Sequence, residues 1–140
     1  MKKILIMGLP GSGKSTLSTL VAKKLSAELV NADTVRKKAN DWDFSESGRL
    51  RQAERMKNIC DEIKNNNKYV IADFICPTNI TREIFNPDYL IWVDTIKSGR
   101  FDDTNKMFFP PKNFNLRVTE KNAEHWSTVI QQEIKSYFST

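Results

Sequence analysis

Gly8-Leu9-Pro10-Gly11-Ser12-Gly13-Lys14-Ser15 fits the pattern G-x-x-x-x-G-K-[ST] without a gap. Ile4-Leu5-Ile6-Met7 precedes it and reads as a buried strand, apolar and bounded by glycine. A helix is expected after it, from Lys14 to about Ser26, with Leu17, Leu20, Val21 and Leu25 on one face. Strand, glycine-rich loop and helix together are the context the pattern needs. The glycines let the backbone wrap closely round phosphate oxygens, and the exposed N–H groups at a helix N-terminus supply positive potential. Lys14 is expected to reach the β- and γ-phosphates of a nucleoside triphosphate, and the Ser15 hydroxyl to ligate Mg²⁺. The motif says nothing of what receives the phosphate.

Further along, Glu28–Asn31 reads as a second strand and Asp33 as the N-cap of a short helix through Lys38. Ser45 is expected to cap a long helix to about Asn65, striped by Leu50, Ala53, Met56, Cys60 and Ile63. Lys68–Phe74 reads as a third strand, Asn79 caps a short helix ending near Phe85, and Tyr89–Val93 reads as a fourth strand. Residues 95–111 read as irregular, closed by Pro110-Pro111; Phe114–Val118 is a candidate fifth strand. Asn122 then caps a last helix whose Ala123, Trp126, Val129, Ile130, Ile134 and Tyr137 point one way. Strands alternating with helices imply α/β architecture, a mostly parallel five-stranded sheet with helices on both faces. No linker divides the 140 residues, so one domain over 1–140 is expected. Ligands should bind beyond the carboxyl ends of the strands.

Composition narrows the function. Hydrophobic residues make up 39% and charged residues 28%, close to globular averages, which argues against disorder or a fibrous repeat. The apolar runs are too short to span a membrane. The start, Met1-Lys2-Lys3 before Ile4–Met7, meets glycine and proline too early for a signal peptide. Cys60 and Cys76 then read as reduced thiols in a cytoplasmic protein. The net charge of +5 arises in residues 1–40, with eight Lys/Arg against two acids. A small basic excess beside a phosphate site suits an anionic small-molecule substrate. It is too weak to argue for nucleic acid, which calls for a strong basic stripe, and no nucleic-acid partner is expected. A homodimer is left open.

Three further stretches can carry chemistry. Asp33-Thr34-Val35-Arg36 follows the second strand. Asp33 there could take a proton from an attacking hydroxyl or hold Mg²⁺, and Arg36, one turn on, could bind an acceptor anion; a helix cap with an ordinary surface pair is the plain alternative. Lys68-Tyr69-Val70-Ile71-Ala72-Asp73 ends a strand in an acid, making Asp73 a second metal candidate. Phe44-Ser45-Glu46-Ser47-Gly48-Arg49 pairs an aromatic with arginine, but on its own reads as a capped helix with a solvated basic face. His125 stands far from every motif, and no cluster has zinc spacing.

Taken in order, Gly8 through Thr16, Asn31-Ala32-Asp33-Thr34-Val35-Arg36, Asp43-Phe44-Ser45-Glu46 with Arg49 and Arg55, and Phe74-Ile75-Cys76-Pro77 with Arg82 resemble the adenylylsulfate kinase family of P-loop kinases. The resemblance covers roughly residues 3–95, with Trp92-Val93-Asp94-Thr95 similar to the fourth-strand block. It implies the three-layer α/β/α P-loop fold. It also implies transfer of the γ-phosphoryl of ATP, with Mg²⁺, to the 3′-hydroxyl of adenylyl sulfate, giving 3′-phosphoadenylyl sulfate for sulfate assimilation. Carried over by position, Gly8, Leu9, Pro10, Gly11, Ser12, Gly13, Lys14, Ser15 and Thr16 bind nucleotide, and Lys14 and Asp33 are catalytic. Arg36 and Arg49 meet the substrate anion, and Phe44 and Phe74 stack its adenine. Ile75, Cys76 and Pro77 line that pocket, with cysteine where serine is usual, and Gln52 stands where asparagine is common. Ser15, Asp33 and Asp73 are the metal candidates. The lid-like segment, about 96–111, is shorter than the family's, with Arg100 and Lys106 as its cations. The rival readings are a polynucleotide 5′-hydroxyl kinase, because a phosphate loop followed by Asp-x-x-Arg also resembles that group, a nucleotide kinase, and a non-catalytic nucleotide-binding module.

Overall fold

The structure, a computed structural model, describes residues 1–63, 67–99 and 101–139. In chain order the elements are β1 (Lys2–Met7), α1 (Lys14–Leu25), β2 (Glu28–Asn31), α2 (Ala32–Ala39), α3 (Glu46–Glu62) and β3 (Tyr69–Asp73). There follow α4 (Asn79–Phe85), β4 (Tyr89–Val93), α5 (Asp102–Met107), β5 (Leu116–Val118) and α6 (Ala123–Tyr137). The five strands form one sheet in the order β2-β3-β1-β4-β5, and every pairing is parallel. β1 lies in the middle, with Ile6 beside Asp73 of β3 and Met7 beside Trp92 of β4. The chain leaves β1 toward β2 on one side and returns past it from β3 to β4. Its carboxyl end is therefore a topological switch point, where a crevice opens.

Side chains alternate across the sheet. Ile4, Ile6, Ile71 and Ile91 meet Leu17 and Val21 of α1 and Ile130 and Ile134 of α6 on one face. Leu5, Met7, Val70 and Ala72 meet Val35 of α2, Ala53, Met56 and Cys60 of α3, and Phe85 of α4 on the other. The sheet is thus the middle layer of a three-layer α/β/α sandwich.

Several boundaries differ from the sequence reading. Asn31, not Asp33, caps α2: its side chain accepts from the Asp33 and Thr34 amides, placing Asp33 in the first turn. Thr78, not Asn79, caps α4, in a reciprocal capping box with Thr81. Residues 102–107, expected to be irregular, form α5. β5 starts at Leu116 because Asn115 is spent on Leu90, accepting its amide through Oδ1 at 2.8 Å and donating to its carbonyl at 2.9 Å. Phe114 is thereby left exposed against Trp92. The described part of α3 closes at Glu62, and the expected end at Asn65 lies outside the described residues. Tyr137 is exposed, and Phe138 takes the packed position beside Tyr69 and Tyr89.

Candidate active site

Between β1 and α1 the backbone turns through Gly11 at φ 88° and Gly13 at φ 92°, a left-handed region that glycine enters without strain. A Cβ on Gly8 would stand 2.6 Å from the Val93 carbonyl oxygen, so the loop lies against the end of β4 as only glycine allows. The Ser12 amide donates to Leu9 O at 3.1 Å, and the Thr95 hydroxyl donates to Ser12 O at 2.6 Å, fastening the loop to both sides. α1 begins at Lys14, so its unsatisfied N–H groups open into the loop.

Asp73 closes β3 beside this loop and is buried. One carboxylate oxygen accepts from Asn31 Nδ2 at 3.0 Å; the other, Oδ1, is buried without a hydrogen-bond partner. Burial pushes its carboxyl above the ordinary aspartate range, against the pull of Lys14, Ser15 and Asn31. An orphaned carboxylate oxygen beside the Ser15 hydroxyl is the donor set a hard, oxygen-seeking cation such as Mg²⁺ takes up, with phosphates and waters completing the shell. Among the described residues no three His, Cys, Asp or Glu side chains converge. Asp33 lies across the pocket mouth in the first turn of α2 and is exposed.

A cavity of about 510 Å³ opens between the phosphate loop and the far side of the sheet. Lys14, Ser15 and Asp73 line it on the phosphate-loop side, with exposed Asp33 at its edge, and Arg36, Phe44 and Arg49 complete the lining as a wall. Both arginines are buried. Arg36 donates through Nη1 to the carbonyls of Asp41 and Asp43, at 2.9 and 3.2 Å. Arg49 donates through Nε to Phe44 O at 3.3 Å and through Nη2 to the Thr104 hydroxyl at 2.8 Å. Their guanidinium carbons lie 4.4 and 4.9 Å from the centre of the Phe44 ring. Among the described residues neither arginine makes an ion pair. Desolvation, with Arg36 adding repulsion, lowers the Arg49 pKa to about 10. Both guanidiniums are held directly by neutral oxygens. Asp41, Asp33 and Asp43 act on Arg36 from further off, whereas among the described residues no acid offsets Arg49, so the pair of cations suits an anion.

The remaining expected residues differ in their surroundings. Phe74 lines the cavity yet is buried, with its ring edge-on to Phe85 at 5.5 Å. Ile75, Cys76 and Pro77 also line it, with Cys76 fully buried at φ 47° and burial pushing its thiol up to about 12. Gln52 lines it too, but donates to Ala32 O at 3.0 Å and accepts from Arg55 Nη1 at 3.0 Å, tying α3 to α2. Lys106 is exposed on α5 and does not line the cavity; Arg100 lies outside the described residues. From this segment Phe101 and Thr104 reach the cavity instead, and Trp42 joins Phe44 at its rim. Asn31, Trp42, Phe101 and Thr104 were not singled out from sequence; only Asn31 carried a signal, as a cap-forming residue ending a strand. A smaller cavity of about 200 Å³ flanks the phosphate loop on its other side, lined by Thr16, Thr95, Lys121 and Trp126 among others.

A phosphate loop at the middle strand of an all-parallel sheet, with an acid ending the adjacent strand, defines a P-loop nucleotide-binding protein. Residues 2–88 match the family model of adenylylsulphate kinase, and the chain belongs to that family. Among curated proteins it is 31% identical to a putative adenylate kinase of Sulfurisphaera tokodaii over 140 residues, spanning 96% of this chain and 69% of that protein. It is 29% identical to a shikimate kinase of Corynebacterium glutamicum over 141 residues, spanning 96% of this chain and 80% of that one. The adenylylsulphate kinase of Mycobacterium tuberculosis, solved with AMPPNP and APS, shares its fold with a TM-score of 0.77 at 20% identity, over 96% of this chain and 97% of that one. Among the described residues no helix is long and apolar enough to cross a membrane.

Proposed function

We propose that the chain transfers the γ-phosphoryl group of ATP to the 3′-hydroxyl of adenylyl sulfate, giving 3′-phosphoadenylyl sulfate. The observation that carries this reading is the wall formed by Arg36, Arg49 and Phe44: two buried cations without carboxylate partners beside an exposed aromatic ring. That combination suits an acceptor that is both anionic and aromatic. A cavity of about 510 Å³ is of the size that takes a nucleotide.

In this reading the phosphate loop and Lys14 hold the β- and γ-phosphates, and the small cavity beside Thr16 lies where the rest of the donor would extend. Ser15 and Asp73 would hold Mg²⁺, which would neutralise charge on the donor phosphates. Arg36 and Arg49 grip the acceptor's sulfate–phosphate group. Asp33 accepts the hydroxyl proton as the new oxygen–phosphorus bond forms and the bond from the γ-phosphorus to the β,γ-bridging oxygen breaks, with ADP leaving. Positioning and fixed charge supply the catalysis.

The test is a transfer assay with γ-labelled ATP and Mg²⁺ against adenylyl sulfate, AMP, shikimate and a 5′-hydroxyl oligonucleotide. Adenylyl sulfate is expected to be turned over with the highest kcat/KM. Preference for any other acceptor overturns the assignment, and saturable ATP binding without transfer to any of the four marks a non-catalytic nucleotide-binding module.

A further inference from the structure

Arg51 does not line the cavity and its side chain is about half exposed, at 48%. Its guanidinium nevertheless reaches two carboxylates in the segment 40–45 that joins α2 to α3. Nε donates to Asp41 Oδ2 at 3.1 Å, and Nη2 donates to Asp41 Oδ1 at 3.3 Å and to Asp43 Oδ2 at 2.8 Å. Those carboxylates in turn hold the segment's own backbone. Asp41 Oδ1 accepts from the Asp43 amide at 3.1 Å, and Asp43 Oδ1 accepts from the Ser45 amide at 2.9 Å. The same backbone seats both wall arginines, Arg36 through the carbonyls of Asp41 and Asp43 and Arg49 through that of Phe44. It also carries Phe44 and Trp42 into the cavity lining.

We infer that Arg51 is a positioning residue for acceptor binding, which clamps Asp41 and Asp43 and so fixes the rim that seats Arg36, Arg49 and Phe44. The inference rests on the cavity being the acceptor site. Exposed ion pairs add little to global stability. The value of this one lies in geometry, since two buried guanidiniums depend on three carbonyls of a six-residue connection outside any helix or strand. Hydrogen bonds from Arg51 and from the Asp43 amide hold the Asp41 carboxyl down at about 2, so it faces Arg51 as a carboxylate at neutral pH. Arg55 also pairs with Asp41, so removing Arg51 releases Asp43 in particular and leaves one anchor of the rim in place.

Arg51→Ala and Arg51→Lys test this in the full chain. Amide exchange in the ligand-free protein, followed by NMR, should speed up at Asp43 and Ser45 in Arg51→Ala with the thermal midpoint unchanged. The KM of the acceptor that the parent turns over should rise about tenfold, with the ATP KM and kcat held, because a small misplacement of binding groups is costly. Arg51→Lys, with a single ammonium for two carboxylates, should fall between. Unchanged exchange overturns the inference, as does an unchanged acceptor KM or an equal rise in both KM values. If the parent turns over no acceptor, the functional reading has failed, and the exchange measurement still rules for or against the clamp.

Discussion

Burial of Asp73 at the end of β3 opposes its ionisation, and Asp33 adds to the rise, while Lys14, Ser15 and Asn31 pull the other way. A carboxyl whose folded pKa exceeds its unfolded one contributes stability that is present below the unfolded value and lost as pH rises through the folded one. Above the ordinary aspartate range, burial of Asp73 therefore weakens the ligand-free fold. Asp73→Asn keeps an acceptor for Asn31 and removes the charge. The ligand-free variant is expected to melt above the parent at neutral pH, with the gap closing as pH falls into the carboxylate range. Its transfer rate should fall and recover partly with excess Mg²⁺. Calorimetry across pH with a Mg²⁺ titration of kcat checks both, and a variant that melts below the parent at neutral pH contradicts the burial argument. Asp33, exposed in the first turn of α2, has a different role in the proposed reaction. Asp33→Asn is expected to cut kcat by about 10²–10⁴, the worth of a positioned general base, with the ATP KM unchanged and no rescue by metal. Metal rescue of Asp33→Asn and not of Asp73→Asn would exchange the two roles.

Elements differ in how openly the sequence declares them. β1 was legible as a short apolar run buried on both faces, and α1 and most of α6 because their apolar spacing matches their burial, up to Tyr137, which is exposed. The cap of α2 lies two residues before the expected Asp33 and that of α4 one residue before the expected Asn79, because Asn31, Asp33, Thr78 and Asn79 are all cap formers and only the fold selects between them. Asn31 is fixed by its register opposite Asp73, a contact 42 positions away in the chain. α5 was not legible: its N-cap Phe101 makes no side-chain cap, and six residues are too few to show a period. The two aromatics expected to stack an adenine also part company, since Phe44 is exposed on the rim whereas Phe74 packs into the core between sheet and α4. Phe44→Ala is expected to raise the acceptor KM roughly tenfold, as loss of one stacking contact worth about 1–3 kcal/mol does, without a change in melting. Phe74→Ala should cost about 3–5 kcal/mol of stability, as deletion of a core ring does, whatever it does to the acceptor. Melting curves beside initial rates separate the two, and a stable Phe74→Ala with only a raised acceptor KM would return Phe74 to the stacking role.

Across the whole molecule, the phosphate loop and the alternation of elements were enough to read the three-layer fold, because parallel strands with helical crossovers leave few topologies open. The wall proposed to meet the acceptor was legible only through resemblance. What holds it is non-local: Arg49 is met by Thr104 of α5, 55 residues further on, and nothing in either stretch announces the pair. That contact joins the two halves of the molecule around the cavity, and it makes Arg49 a place where stability and function oppose each other. A buried guanidinium with no acid beside it costs desolvation that neutral carbonyl and hydroxyl partners only partly offset. Methionine matches the length of the arginine stem and carries no charge, so Arg49→Met is expected to melt at or above the parent's temperature. The same change removes one of the two cations that would meet the acceptor anion. Adenylyl sulfate at a hundred times its Kd should stabilise the parent by about 2.7 kcal/mol and the variant by far less, while stabilisation by ATP with Mg²⁺ stays the same in both. Thermal shift with each ligand in turn measures this directly. A variant that loses stability and keeps its acceptor response would make Arg49 a strut between α3 and α5 rather than an anion contact.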